Sequence, residues 1–329
     1  MNNLSKYKLE IMGISMLWIM FFHAQVLIVG PLLVVKAIGY IGADIFFLIS
    51  GIGSIFSYSK SNSSSVFFGS RLRRLIPTFW ICLLLFSISD AYLGSFNTTK
   101  FLLAFGGLDF LFCGDIKTWF IPAILVCYSV FLIHIKLADK IGNHKSLLGI
   151  AVIAILFSVS IINSSLSHLL IMTIRIPIFL LGVYIGNLIL NNKDSEILNS
   201  VCMNIIVLII SMLALVVVFS FYSKGQAFYF ATGIYWYPMI LMVYPVTYFM
   251  GKLIAVFDKI NIFRAAARLL GKHSLELYLI HTMIYMYADT LPFVQMEMNI
   301  SRFPEYLIYG LITLLISIML QKIVKTFFR

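Results

Sequence analysis

Residues 199–221 read NSVCMNIIVLIISMLALVVVFSF, a run without a single Asp, Glu, Lys or Arg. A helix crosses a bilayer with roughly 20 apolar residues at about 1.5 Å rise each, so this run is long enough to span alone. Working outward, further stretches read the same way near 9–29, 38–58, 76–94, 118–135, 147–163, 168–190, 230–250, 272–290 and 304–325. The predicted fold is therefore an all-α polytopic membrane protein of about ten transmembrane helices. Composition agrees: 61% of the 329 residues are hydrophobic and 11% charged, with a mean hydropathy of +1.00. A soluble chain of this length needs far more polar surface.

Between the runs little is left over. Residues 101–113, FLLAFGGLDFLFC, are apolar but short and broken at Gly106-Gly107, which fits an interfacial or re-entrant segment better than another span. The longest candidate loops, 95–117 and 251–271, are too short for a separate globular domain. Residues 1–329 are thus expected to form one transmembrane domain with no appended soluble domain. The first run lacks a small-residue cleavage site and reads as a retained span. Cys82, Cys113, Cys127 and Cys202 are scattered and show no CxxC spacing, so neither a disulfide framework nor a metal site is inferred.

Loop charge orients the chain. With the N-terminus and the even-numbered loops on one side, that side collects 17 of the 24 Lys and Arg residues. The other side holds Lys36, Lys100, Lys117, Lys224 and Arg302, while Arg175 and Lys272 lie in or beside spans. Positive residues favour the cytoplasmic side, so both termini are expected there, in a cytoplasmic (inner) membrane. The same bias accounts for the net charge of +11 without invoking nucleic acid.

Ionisable residues are few in the apolar runs, and those set well back from the ends are His23, Asp44, Arg175 and His281. In this orientation His23, Asp44 and Arg175 each fall about six or seven residues from the outer end of a span, roughly 10 Å deep. His281 lies near the same level. Unpaired charges at depth cost several kcal/mol each, so such residues face a cavity or one another and mark functional paths. Structural roles remain open for all four. His23 could donate to a neighbouring helix carbonyl, and Asp44 could simply pair with Arg175. Arg175, beside Pro177, could cap carbonyls freed by the proline, and His281 could serve helix packing.

The residues around these positions carry a resemblance. The chain resembles the membrane acyltransferase-3 family, which acylates surface sugars and other acceptors. GISMLWIMFFHA, residues 13–24, is similar to the family's first span, whose hydrophobic run closes on a histidine, here His23. Gly42, Asp44, Ile45, Phe46, Phe47, Ser50 and Gly51 match a G-x-D-I-F-F-x-x-S-G pattern. Residues 70–80, SRLRRLIPTFW, resemble its R-x-x-R lead-in to the third span. Further echoes are WFIP at 119–122, RIPIFLLG at 175–182 and SLELYLIH at 274–281. One departure stands out: the family usually has an arginine eleven positions before the histidine, where this chain has Met12, with Glu10 and Lys8 nearby.

The resemblance implies an integral-membrane O-acyltransferase. Its donor would be cytoplasmic acyl-coenzyme A, acetyl by family frequency, and its acceptor a sugar hydroxyl of a polysaccharide or lipid-linked glycan. A hydroxyl attacking a thioester needs a base near neutral pH, which is histidine chemistry and points to His23. Asp44 or another acceptor would hold the imidazole tautomer, and Arg175 would stabilise the oxyanion or, equally, neutralise Asp44. Arg71 and Arg74 would grip the donor's phosphates, since guanidinium forks match phosphate oxygens, although they could equally be a topology anchor. Trp119, Trp236 and His281 are the candidate acceptor contacts, with Tyr229, Tyr235 and Tyr237 nearby. The aromatics could also belong to an interfacial belt. A flippase for a lipid-linked sugar or a non-catalytic scaffold would share the spans. No internal repeat supports the first, and the second leaves the buried charges unexplained.

Overall fold

The structure is a computed structural model, and it describes residues 1–222, 233–288 and 303–328. Among these residues every regular element is helical. The principal helices are α1 (Lys8–His23), α2 (Ile41–Ser61), α3 (Ser64–Tyr92), α4 (Phe120–Ile141), α5 (Asn143–Ser160), α6 (Arg175–Leu190), α7 (Val201–Tyr222), α8 (Tyr237–Val256), α9 (Asn261–Lys272), α10 (Ser274–Ala288) and α11 (Phe303–Phe328). Eight helical segments among the described residues are long and apolar enough to cross a membrane. The chain is a multi-pass, all-α membrane protein. Lys224, Tyr229, Arg302 and Arg329 lie outside the described residues.

Two expected spans, those bearing the histidines, are not among these eight. α1 has 16 residues and α10 has 15 described residues. α1 does not continue to residue 29 but stops at His23. The run that follows, Val26-Leu27-Ile28-Val29, is rich in β-branched residues and leads into Gly30-Pro31, a poor context for a helix. Trp18 Nε1 donates to the Val35 carbonyl at 2.7 Å, tying the short Pro31–Ala37 helix back to α1. Residues 101–113 form two short helices, Thr98–Phe105 and Asp109–Cys113, divided at the two glycines as expected.

The chain packs as two compact units. The first comprises Met1–Lys8, Asp44–Phe68 and Phe110–Val256, and so holds most of α2 with α4 to α8. Here α6 is the central element. It packs on α4, α5 and α8, and its span is 78% buried inside the protein, against 22% for the lipid-facing α7. α6 also crosses α2 at very close range. A Cβ on Gly51 would collide with the Phe179 carbonyl, and one on Gly182 with the Leu48 carbonyl. Gly182 and Gly186 are four apart, the spacing that lets membrane helices touch backbone to backbone.

The second unit comprises Leu9–Ala43, Gly69–Asp109 and Phe257–Arg329. It contains α1, most of α3, and α9, α10 and α11. Residues 251–271 are mostly helix rather than the expected loop: α8 runs on to Val256, and α9 begins at Asn261. α9 is two-faced, with Arg264, Arg268 and Lys272 at four-residue spacing and Ala267 and Gly271 buried. The buried face docks on α1, where Gly13 meets the backbone of Ala267 and Gly271. α10 then packs along α11.

Candidate active site

In the first unit, Asp44 and Arg175 each stand seven residues ahead of the glycines at which α2 and α6 touch, Gly51 and Gly182. Two helices running the same way with equal offsets from their crossing must bring these side chains level. They do meet: Arg175 Nε lies 2.9 Å from Asp44 Oδ1, with both side chains 2% exposed. Arg175 Nη1 also donates to the Ile171 carbonyl one turn back. Its guanidinium sits 4.8 Å over the ring of Trp119, which directly precedes α4, and 5.7 Å over that of Trp236, in the turn leading to α8. Trp119 in turn stacks on Phe47, centroids 6.1 Å apart. Asp44 Oδ2 is buried and has no hydrogen-bond partner among the described residues.

Such a pair costs more to break than to replace. Arg175→Met strands a buried carboxylate and should lower stability by about 3–5 kcal/mol, whereas Asp44→Leu with Arg175→Met should recover most of that loss. Thermal unfolding in detergent measures both. Equal losses in the single and the double variant would mean that the stranded carboxylate is not what costs stability.

The second unit brings His23 and His281 together although 258 residues separate them. His23 is the last residue of α1 and is exposed, while His281 lies mid-way along α10 and is 0% exposed. Their hydrogen bonds fix both tautomers. A carbonyl only accepts, so His281 Nδ1, 3.1 Å from the Leu277 oxygen, must carry a proton. In the neutral ring Nε2 then holds a lone pair. His23 Nδ1 lies 3.1 Å from that Nε2 and 3.1 Å from the Ile19 carbonyl, two acceptors, so it must donate. The remaining nitrogen of His23, Nε2, is left with an unshared pair. This is the arrangement of a base whose partner holds its tautomer. Tyr278 and Tyr285 set their rings edge-on to His281 at 5.6 and 5.8 Å, and Phe22 does the same to His23 at 5.0 Å.

Arg71 and Arg74 lie on α3, which starts twelve residues before the apolar run 76–94, and their three-residue spacing gives them one helix face. Arg71 is half-buried and Arg74 exposed. Met12 is buried, but a guanidinium does reach this stretch of α1: Arg264 of α9 lies 3.3 Å from the buried Glu10 and 2.9 Å from Asp258. Lys8 instead directs its Nζ against Gly53 of α2. The carbonyl of Leu277 and the docking of Arg264 were not singled out from sequence. The first had a signal, since Leu277 precedes His281 by one helical turn. The Asp44–Arg175 pair belongs to the first unit and the histidine pair to the second.

A membrane protein of this helical build, carrying an imidazole with a free lone pair, fits an acyl-transfer enzyme. The family comparison agrees: the acyltransferase-3 model, described as an acyltransferase domain, matches residues 12–322. The chain belongs to the acyltransferase-3 family and is an acyltransferase. Comparisons with curated proteins and with solved structures give no match.

Proposed function

We propose that this acyltransferase moves an acetyl group from cytoplasmic acyl-coenzyme A to a hydroxyl of a surface polysaccharide or lipid-linked glycan, with His23 as general base. The observation that carries this reading is the lone pair left on His23 Nε2 by the bond from its Nδ1 to His281. The acceptor hydroxyl gives its proton to that nitrogen as its oxygen attacks the thioester carbonyl. The C–S bond then breaks, and the coenzyme A thiolate leaves with the proton returned from His23. With both ring nitrogens engaged, His281 is better suited to positioning His23 than to touching the acceptor.

The remaining roles follow the chemistry of each group. Arg175, held by Asp44, offers a cation for substrate charge. Trp119 and Trp236 offer flat faces to a sugar. Arg71 and Arg74 offer bidentate contacts to the donor's phosphates. Positive loops favour both termini in the cytoplasm of an inner-membrane protein, so donor and acceptor would arrive from opposite faces.

The test uses purified protein, acetyl-coenzyme A labelled in the acetyl group, and a glycan extract. Label should move to the glycan. Arg71→Gln with Arg74→Gln should raise KM for the donor by about 10–100-fold while kcat changes little, since two charge-assisted contacts are lost from binding alone. An unchanged KM would remove these arginines from the donor site. Hydrolysis of the donor with no label on the glycan would redirect the acceptor to another class.

A further inference from the structure

We infer that the second unit contains a binding site for an anionic phospholipid, with one acyl chain inside the protein and the phosphate on α9. A cavity of about 510 Å³ opens between α1, α9, α10 and α11, with Met20, Leu269, Leu277, Tyr285, Leu307 and Gly310 in its wall. This is the size of an ordinary ligand site, roughly 300–1,000 Å³. Apart from two tyrosines its lining side chains are all apolar. A sugar or nucleotide placed there would leave each hydroxyl and phosphate unmatched, whereas a hydrocarbon chain loses nothing.

Charge identifies the headgroup. α9 contributes Ala266, Leu269 and Leu270 to the cavity and carries Arg264, Arg268 and Lys272 along another face. Arg264 is engaged with Glu10 and Asp258, while Arg268 and Lys272 are exposed. A short amphipathic helix with a basic face lies at a membrane interface, and basic residues beside membrane helices attract anionic headgroups. Lys272 follows Leu269 by three residues, so the basic face and the cavity wall share an edge of α9, where one lipid can place its headgroup and its chain. Leu277 and Tyr285 belong both to this cavity and to the surroundings of His281. An occupant therefore bears on the segment that orients the histidine pair.

The site goes beyond the catalytic reading, and its test does not need catalysis. The full protein is placed in nanodiscs of equal parts phosphatidylcholine and phosphatidylglycerol, extracted gently, and weighed by native mass spectrometry. One phosphatidylglycerol should remain bound. Arg268→Gln with Lys272→Gln, both exposed positions, should lower that preference about 30-fold, the factor expected for two cations near a membrane surface. Gly310→Leu should expel lipid of either kind: a Cβ there meets only Met20 Cε at 3.6 Å, an ordinary contact, so the larger side chain fits the backbone and extends into the space. Retention of phosphatidylcholine as readily as phosphatidylglycerol overturns the proposal. So does an occupant that proves to be a polyisoprenyl phosphate carried from the cells, or no bound lipid at all.

Discussion

His23→Ala should lower acyl transfer at least ~100-fold, the scale of a positioned general base, while leaving the amount of folded protein unchanged. The size follows from geometry. His23 terminates α1 and is exposed, so truncation opens no core cavity and removes the contacts to His281, the Ile19 carbonyl and the Phe22 ring. What disappears is the lone pair on Nε2, and water cannot stand in for a base held at one angle by two acceptors on its other nitrogen. The effect should fall on kcat for every acceptor tested, because the base acts in the chemical step and not in binding. Initial rates with labelled acetyl-coenzyme A, compared with wild type at saturating donor, decide the matter. A loss below tenfold would place the proton transfer on another group.

His281→Leu should cost nearly as much, about 100-fold in kcat, although this side chain is 0% exposed and is proposed to touch no substrate. Its Nε2 is the acceptor that holds the proton of His23 on Nδ1. Without it the Ile19 carbonyl alone opposes rotation and proton migration to Nε2, and a base with its proton on the wrong nitrogen cannot accept another. His281→Gln retains a side-chain oxygen within reach of the same proton and should recover activity to within about tenfold of wild type. Stability alone would not separate this from a packing defect, so the decisive reading is spectroscopic. Nitrogen-15 spectra of histidine-labelled protein should report Nδ1–H on His23 in the wild type and in His281→Gln, and a mixture of tautomers in His281→Leu. A His23 proton on Nε2 in the wild type would dismantle the argument for both residues.

Much of this was legible in the sequence for a local reason. Whether a segment can cross a bilayer depends on its own 20 or so side chains, so residues such as 199–221 declare the fold class unaided. The same window singles out His23, Asp44, Arg175 and His281, because a polar group in an apolar run stands out wherever its partner lies. Partners are a different matter. Gly51 and Gly182 look like any small residues until two backbones meet there, and only that meeting sets Arg175 against Asp44. The union of His23 with His281 depends on packing between α1 and the C-terminal helices, and no spacing rule extends over 258 residues.

Two expectations failed for physical reasons that the sequence did contain. The depth assigned to His23 assumed that helix continued to residue 29, but the β-branched run and Gly30-Pro31 end it at the histidine itself. The stretch 251–271 falls between apolar runs and so reads as a loop. Its four-residue basic stripe and opposite small apolar face were the signature of α9. Averages hide a two-faced helix, and periodicity reveals it.

The backbone crossing of α2 with α6 has a consequence for biogenesis. Asp44 leaves the ribosome 131 residues ahead of Arg175, which at roughly 5–20 residues per second is a delay on the order of ten seconds. Throughout that interval the carboxyl must be sheltered by the insertion machinery or by neighbouring nascent segments. Release of α2 into lipid before α6 arrives would strand an acid in hydrocarbon, a point at which quality-control proteases can act. Slowed translation between the two helices should therefore reduce cellular yield more than it harms the molecules that complete assembly.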